Sequence, residues 1–496
     1  MNKWFKQNKI LAIVTCTLLV GLAATWILYG VFGHRLIEVM YNNHSMEIVN
    51  RVMAGRDYTP LENYYKEADE FMWVSTFRLL IVFAVLILLI ETRLVAKAAV
   101  FSSSFVVLSL SLFYLFDTYP SLIPRFHLER IRYFAHRLFY IPDPILVFKN
   151  RPRFTDRNTR FFGDKYSPLY GVQVVPITYD PFSTDEEGFV AGNPTKSADV
   201  VVIGDSYIEF GLNADDSFAR RLARISGLTV ANFGVGGYGP FQYLELLKRY
   251  GIKEHPKYAF FCFFEGNDLG DIREYLKWRA GGDYYYFTVL SKNFLRRYLL
   301  ALTDTADAIK NGIPLVMQLS LNKTLRSQNH VNPDIAVLQL GDQYHKVLLF
   351  YKNNRRPTDE IIRSPEWKEL KNILSQFKAV SIANGITPII LYIPIAAHIY
   401  AYYSTNDSGE NWLKIRDEQI AEKDNVENGM ISLTGELGTE LIDLSPVFED
   451  SARRGKLLYY PFDTHWNSEG RQVAAEFVAQ VLRRKTIVHA QAPKKG

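Results

Sequence analysis

The chain has 496 residues, a formal net charge of +5 and a hydrophobic share of 48%. This length can bury a large core and hold more than one structural region. The charge is modest, and no dense tract of Lys and Arg with interleaved aromatic residues occurs, which excludes a nucleic-acid partner. Because Cys16 and Cys262 both lie in apolar runs, neither a disulfide framework nor a cysteine-based metal site is predicted.

Residues 1–116 are predicted to be a membrane region with three transmembrane helices. The apolar stretches lie at about residues 10–32, 72–90 and 98–116. Each is long enough, at ~1.5 Å per residue, to cross a hydrocarbon core of about 30 Å. The first is longer than the apolar part of a cleaved signal peptide, so we expect a retained signal anchor in the lipid bilayer. The alternative for the other two stretches is a buried hairpin in a soluble core.

The basic N-terminus, with Lys3, Lys6 and Lys9, is expected to face the cytoplasm. Three spans then place the rest of this multi-pass membrane protein on the extracytoplasmic, or periplasmic, side. Residues 117–198 are rich in Pro, Arg and aromatic residues, and we expect a juxtamembrane linker and lead-in that forms a solvated collar. The alternative is a basic surface for anionic lipid headgroups or an acidic polysaccharide.

Strands and helices alternate over residues 199–485, which predicts a parallel sheet with helices on both faces. The expected fold is α/β: a flavodoxin-like, three-layer α/β/α domain with a parallel five-stranded sheet. The first strand begins at Val200, and the others are predicted at Thr229–Phe233, Tyr258–Phe264, Ile386–Ile393 and Leu441–Leu444. Helices are predicted at Pro240–Tyr250, Trp367–Ile382 and Ser468–Arg484. The segments at about residues 270–365 and 396–439 are too long for simple connections and are predicted to be insertions, and residues 486–496 form a basic tail.

Ligands of open parallel sheets bind outside the carboxyl ends of the strands, and four polar segments are predicted to lie there. They are Gly204-Asp205-Ser206, Asn232 to Gly237, Glu265 to Asp268, and Asp463 to Asn467. A serine hydroxyl is a weak nucleophile that needs an imidazole to take its proton and a carboxylate to orient that imidazole, which His465 and Asp463 can supply. A glycine loop, an Asn amide and the N–H of Ser206 are suitable donors to an oxyanion.

Each segment alone has a plainer interpretation. The Gly-Asp-Ser turn can be an N-capped loop, Asp463 and His465 can be a hydrogen-bonding pair before the last helix, and Asn267-Asp268 can be a turn. The hypothesis of a site depends on their joint occurrence, in this order, at strand ends.

In this order the segments resemble those of the SGNH, or GDSL-type, hydrolases, over about residues 199–482. The resemblance implies that Ser206 is the nucleophile and that His465 and Asp463 complete a catalytic triad. It also implies an oxyanion hole made by the N–H groups of Ser206 and Gly237 and by Asn267.

Two positions depart from the usual family pattern. Glu265 and Gly266 stand where the family usually has Gly and a variable residue, and one residue instead of two separates Asp463 from His465. The second departure resembles the Asp-x-His-Trp arrangement of SGNH-like proteins that O-acetylate alginate and related exopolysaccharides.

These observations predict a membrane-anchored, extracytoplasmic serine esterase or O-acyltransferase. By resemblance, its substrate is an O-acyl, above all O-acetyl, group on a cell-envelope or secreted glycan, and a membrane acyltransferase is a candidate partner. One alternative is a lipid-directed lipase or thioesterase that uses the aromatic-rich segment at about residues 284–302. The other is a non-catalytic membrane scaffold that partners an acyltransferase.

No cofactor is predicted, and no metal site either. The histidines outside the four segments have no acidic or cysteine partner at metal-ligand spacing, so they are expected to be surface or core residues. They include His255, His330, His345 and His398. Glu209, in the turn after Ser206, is expected to be an exposed first-turn carboxylate.

Overall fold

The computed structural model describes residues 95–119, 139–156, 182–190, 197–209, 214–281, 294–310, 335–349, 356–461 and 465–491, with a few isolated positions besides. The predicted spans at residues 10–32 and 72–90 lie almost entirely outside the described residues. The chain divides into two compact units, Met1–Leu112 and Phe113–Gly496.

Little of the first unit is described. In it, the indole N–H of Trp26 donates to the Thr76 hydroxyl over 2.8 Å, so two of the predicted apolar regions contact each other. Helix α1, Val95–Thr118, covers the third predicted span. Across the part of the chain that the structure describes, no helix is both long enough and apolar enough to cross a membrane. The transmembrane helices therefore stay a prediction.

The second unit contains the remaining elements. The strands are β1 Tyr140–Asp143, β2 Val147–Asn150, β3 Thr155–Asp156, β4 Phe182–Ser183, β5 Val200–Gly204, β6 Val230–Gly234, β7 Tyr258–Phe264, β8 Ile335–Leu340, β9 Gln343–Leu348, β10 Thr387–Ile393 and β11 Glu440–Asp443. The helices are α2 Ser206–Glu209, α3 Phe218–Ser226, α4 Pro240–Arg249, α5 Asp268–Arg279, α6 Phe294–Lys310, α7 Thr358–Arg363, α8 Pro365–Ala383, α9 Ala396–Tyr400, α10 Glu410–Glu422, α11 Asn425–Leu437, α12 Ser445–Arg453 and α13 Ser468–Gln491.

Five strands form one parallel sheet in the order β6-β5-β7-β10-β11, which confirms the predicted sheet. Numbered by their own sequence this order is 2-1-3-4-5, the order of flavodoxin-like folds. All five residues of β5 are buried, as expected for an apolar run in the centre of a parallel sheet. Because every strand points the same way, the segments that follow β5, β6 and β7 meet at one edge.

Alternate residues of the central strands pack into two apolar cores on opposite faces of the sheet. Val200 and Val202 lie with side chains of α3, α12 and α13. Val201 and Ile203 lie with side chains of α4, α5 and α8. Full burial of one such side chain contributes about 1.5–3 kcal/mol, so the two cores fix the three-layer arrangement.

The lead-in to the sheet is not a solvated collar where the structure describes it. Leu146 and Phe148, in and beside β2, are buried in the same core as Ile203, and Phe189 joins them. The Tyr238 hydroxyl donates to the Phe148 carbonyl oxygen. The expectation failed because it was based on the Arg and Pro residues of this region, whereas its aromatic and aliphatic residues decide its packing.

The two predicted insertions pair with each other. The β8–β9 hairpin lies in the first insertion, and the second insertion begins with α9. The Thr405 N–H donates to the Val337 carbonyl oxygen over 2.7 Å, and the Gly409 N–H donates to that of Ile335 over 2.7 Å. The hairpin also reaches the loop before the last helix, because the Leu348 N–H donates to the Pro461 carbonyl oxygen over 2.7 Å.

Candidate active site

Ser206 lies just beyond the carboxyl end of the central strand. The strand ends at Gly204, and Ser206 is the first residue of the one-turn helix α2. The carboxylate of Asp205 accepts from the Tyr207 N–H over 2.9 Å, which closes the turn. A Cβ at Gly204 would lie 2.5 Å from a side-chain carbon of Ile208, so the tight approach of α2 to the strand requires glycine there.

The structure brings His465 to this serine, although 259 positions separate them in sequence. The Nε2 atom of His465 lies 2.7 Å from the Ser206 Oγ, within normal hydrogen-bond distance. The next residue, Trp466, is buried, and its indole N–H donates to the Tyr207 carbonyl oxygen over 3.0 Å. The histidine is therefore positioned by a direct bond between its own loop and the serine turn.

The loop that carries His465 is a narrow hairpin held from several sides. Tyr459 pairs with Trp466 across it, and the Tyr459 hydroxyl donates to the Pro394 carbonyl oxygen over 2.7 Å. The Tyr400 hydroxyl accepts from the Leu458 N–H over 2.6 Å. Tyr400, in the second insertion, and the β8–β9 hairpin, in the first, therefore both bond to the loop that carries the histidine.

A buried ion pair completes this support, and sequence reasoning missed it. Arg471, in the first turns of α13, pairs with Asp216, and both side chains are almost fully buried. The Arg471 guanidinium also donates to the Trp466 carbonyl oxygen over 2.7 Å, and the Ser468 hydroxyl donates to Asp216 over 2.6 Å. The segment after the serine turn is thus tied to the segment after His465. No local motif marks an ion pair between such distant positions.

Asp463 lies outside the described residues, so its place beside His465 stays a prediction. The other two members of the predicted constellation are described. Gly237 has a φ of 81°, a left-handed conformation that favours glycine. The Asn267 amide nitrogen donates to the Asp205 carboxylate over 3.3 Å, which brings the third polar segment directly to the first.

Glu209 is buried and is not the exposed first-turn carboxylate expected from the sequence. Its carboxylate accepts from the Gly236 N–H over 2.7 Å and from the Asn150 amide over 2.6 Å. It therefore fixes the glycine loop next to Gly237 and joins it to the lead-in strand β2. A one-turn helix has too few residues for its apolar periodicity to show which face is buried, which explains the error.

Burial dominates the electrostatics of the site. It raises the pKa of Asp205, and the bond from the Tyr207 N–H and the attraction of His465 offset this only in part. Burial, together with the charges of Asp205 and Asp271, holds the pKa of Asp268 well above its ordinary value. Shifts in this direction favour the neutral acids, which lowers the negative charge near the place where an oxyanion would develop.

A second polar cluster lies at the same edge of the sheet, and it corrects the expectation for His398. This histidine has acidic neighbours after all: Glu265, Asp424 and Glu427 surround its ring. They come from segments up to 133 positions away, so spacing in the sequence could not reveal them. Among the described residues, His398, Asp424 and Glu427 form the group able to hold a metal ion.

A five-stranded parallel sheet with a serine hydroxyl within hydrogen-bond distance of a histidine at its carboxyl edge is the arrangement that the sequence resemblance to SGNH-type hydrolases implies. Residues 349–496 match the family model described as ALGX: SGNH hydrolase-like domain, acetyltransferase AlgX. The resemblance seen in the sequence is thereby confirmed. The matched segment contains His465 but not Ser206. No curated protein matches the chain.

The chain is also similar to several solved structures. One is a protein assigned to the G-D-S-L family of lipolytic proteins from Desulfitobacterium hafniense DCB-2, with 13% identity, coverage of 57% of this chain and 98% of that one, and a TM-score of 0.28. Another is a GDSL-like lipase from Bacteroides thetaiotaomicron VPI-5482, with 11% identity, 59% and 92% coverage, and a TM-score of 0.28. A third is phospholipase A1 from Streptomyces albidoflavus NA297, with 12% identity, 58% and 99% coverage, and a TM-score of 0.29. At these TM-scores the likeness carries no conclusion about this chain.

Proposed function

We propose that this protein is a serine esterase or O-acyltransferase. The observation that carries the proposal is the 2.7 Å distance between the Nε2 atom of His465 and the Oγ of Ser206, at the edge of the sheet where ligands bind. A histidine in this position can take the hydroxyl proton while the oxygen attacks an acyl carbon. The match of residues 349–496 to an acetyltransferase family model supports the same chemistry.

In the proposed reaction, the Ser206 oxygen bonds to the carbonyl carbon of an ester, and its proton passes to His465. The negatively charged oxygen of the tetrahedral intermediate accepts hydrogen bonds from the N–H groups of Ser206 and Gly237 and from the Asn267 amide. Asp463 orients His465 and stabilises its positive charge. Collapse of the intermediate breaks the bond to the alcohol, which takes the proton from His465 and leaves an acyl-serine.

The second half of the reaction decides between esterase and transferase. Water attacks the acyl-serine in an esterase, whereas a sugar hydroxyl attacks it in a transferase, and His465 takes the proton of either. We propose a glycan O-acetyl group as the substrate, because the matched family model is described as an acetyltransferase and the predicted topology exposes the site to the cell envelope.

The proposal includes a membrane anchor. Its support is the three apolar stretches of residues 1–116, together with the exposure of Phe105, Val107 and Leu108 on α1. Replacement of the exposed Arg483 by Cys should create a thiol that an impermeant reagent labels in intact cells. Protection of this thiol in intact cells, with labelling after lysis, would contradict the extracytoplasmic placement.

The catalytic proposal is tested with the full chain, purified in detergent, on an acetylated sugar, with acetate release and transfer to a second sugar both measured. Ser206→Ala is expected to lower the rate by roughly 10⁴-fold or more. Ser375→Ala is the matched control and should react as the wild type does, because Ser375 is half-buried on α8 and its hydroxyl donates to the Lys371 carbonyl oxygen of the same helix. Equal rates in wild type and Ser206→Ala would refute the proposal.

A further inference from the structure

We propose that His398, Asp424 and Glu427 bind one divalent transition-metal ion of the zinc class. The three residues come from separate elements: His398 lies in α9, which follows β10, and the two carboxylates lie just before and within the first turn of α11. The sheet brings them together at the edge that also carries Ser206. The inference is independent of the proposed acyl transfer.

The distances fit a metal better than a hydrogen bond. The Nε2 atom of His398 lies 3.4 Å from an Asp424 oxygen and 3.3 Å from a Glu427 oxygen. Two ligands that each lie about 2.0–2.1 Å from a tetrahedral zinc ion are separated by ~3.3 Å. The two oxygens lie within 4.8 Å of each other. Because the Asp424 side chain is half exposed, it can adjust to the spacing that a tetrahedral ion requires.

The Nε2 atom of His398 makes no hydrogen bond of normal geometry. The His398 side chain is completely buried, and its Nε2 atom has no hydrogen-bond partner despite the two nearby carboxylates. A buried nitrogen without a partner costs about 1–3 kcal/mol, so such atoms are rare unless a ligand satisfies them. A metal ion between the nitrogen and the two oxygens would do so.

A carboxylate behind the histidine favours the tautomer that binds metal. The Nδ1 atom of His398 lies 3.0 Å from a Glu265 oxygen, which also accepts from the Ile395 N–H over 2.9 Å. A proton on Nδ1 that is donated to Glu265 leaves a lone pair on Nε2, directed at Asp424 and Glu427. Histidine ligands of zinc almost always have such an outer partner, which fixes the ring and raises its basicity.

One neighbouring cation already contacts the cluster. Lys423 bonds over 2.6 Å to the Asp424 oxygen that faces His398, and over 2.7 Å to Glu449, so a bound ion would share that oxygen with the ammonium or take the second oxygen of Asp424. The Asp424 side chain is half exposed, so solvent and a dissolved ion reach its carboxylate. One imidazole with two carboxylates suits zinc and its neighbours more than magnesium or calcium, which prefer oxygen ligands alone.

The expected consequence is a stabilised loop beside the serine. The metal would tie α9 and α11 to Glu265, which follows β7 and stands two positions before Asn267. Removal of the ion should therefore lower the stability of the domain and loosen the loop that carries Asn267.

The test uses the full chain, stripped of metal by a chelator and dialysed, and then titrated with Zn²⁺ by calorimetry and with Co²⁺ by visible absorption. The wild type should bind one ion per chain, give the absorption bands of tetrahedral Co²⁺, and melt at a higher temperature with Zn²⁺. Asp424→Asn, at a half-exposed position that should not impair folding, should weaken Zn²⁺ binding about 100-fold, and Glu265→Gln should weaken it about 10- to 100-fold. His345→Gln removes a histidine from the β8–β9 hairpin and should bind Zn²⁺ as tightly as the wild type does.

Two results would overturn the inference. One is the absence of stoichiometric Zn²⁺ or Co²⁺ binding by the wild type, which would mean that the carboxylates hold a protonated His398 instead. The other is an equal Zn²⁺ affinity of the wild type and Asp424→Asn, which would place any bound metal elsewhere.

Discussion

The buried carboxylate of Glu209 supports a sharp prediction, because alanine and glutamine should have very different effects there. In Glu209→Ala, the Gly236 N–H and the Asn150 amide both lose their acceptor. An unsatisfied buried donor costs about 1–3 kcal/mol, which applies fully at the buried Asn150 and less at the half-buried Gly236, and the carboxylate bonds lost are of the stronger, charge-assisted kind. We expect Glu209→Ala to lower the free energy of unfolding by about 3–5 kcal/mol.

Glu209→Gln should cost only about 1 kcal/mol, the net value of an ordinary hydrogen bond. The Gln oxygen can accept from the Gly236 N–H, which leaves the Gln amide facing Asn150. The Asn150 side-chain oxygen is buried without a partner, so a flip of its amide lets that oxygen accept from the Gln. The flip leaves one buried polar atom of Asn150 unpaired, as in the wild type.

The assay is urea unfolding of the full chain in detergent, followed by tryptophan fluorescence, with ester hydrolysis measured in parallel. Gly236 precedes Gly237, so the glycine loop should move in Glu209→Ala and kcat should fall about 10-fold or more, short of the 10²- to 10³-fold cost of losing an oxyanion donor outright. Glu209→Gln should keep most of the activity. If the two variants differ in stability by less than about 0.5 kcal/mol, the assigned role of Glu209 is refuted.

Three further variants test other parts of the site. Gly234→Ala should lose about 3 kcal/mol of stability and most activity, because the new Cβ would lie 2.3 Å from the backbone nitrogen of Glu209. The control is Gly435→Ala, which has open space around its Cβ and should be neutral or stabilising. The raised pKa of Asp205 means that the folded protein keeps a proton that the unfolded chain loses near pH ~3.9. The contribution of Asp205 to the free energy of unfolding is full below that pH and is lost as the pH rises through the pKa of Asp205 in the folded protein. Urea unfolding measured across this pH range should therefore show a smaller loss of stability with rising pH in Asp205→Asn than in the wild type. An equal loss in the two proteins would contradict the assigned pKa shift. Trp466→Phe keeps an aromatic ring in place but removes the hydrogen bond to the Tyr207 carbonyl oxygen. It should lower the free energy of unfolding by about 1–2 kcal/mol and should also lower kcat. If neither quantity changes, this hydrogen bond does not position the histidine.

The sheet was predictable from the sequence because each central strand is a continuous apolar run. Tyr258–Phe264 was predicted with its observed bounds, and Ile386–Ile393 differs from β10 by one residue at its start. Since parallel strands point the same way, the sequence also predicted that the segments after them would meet. The contact of Asn267 with Asp205 follows from this rule. His465 follows α12 instead of a strand of the sheet, and the bonds of its own loop bring it to Ser206.

What the sequence could not predict is the support around the site. The pair of Arg471 and Asp216, and the cluster of His398 with Glu265, join residues that no local pattern connects. Their proximity depends on how the insertions and the last helix pack, which is decided by many small contacts at once. The burial of Glu209 likewise depends on tertiary packing and could not be predicted from its neighbours in the sequence.

The central claim is that Ser206 is a nucleophile activated by His465, and labelling with a serine-directed phosphonate tests it most directly. The full chain should form one covalent adduct, located on Ser206 by peptide mass spectrometry. His465→Ala should slow labelling at least 100-fold because the general base is lost, while Ser375→Ala should be labelled at the wild-type rate. Undiminished labelling of Ser206→Ala, or an adduct on another residue of the wild type, would contradict the claim.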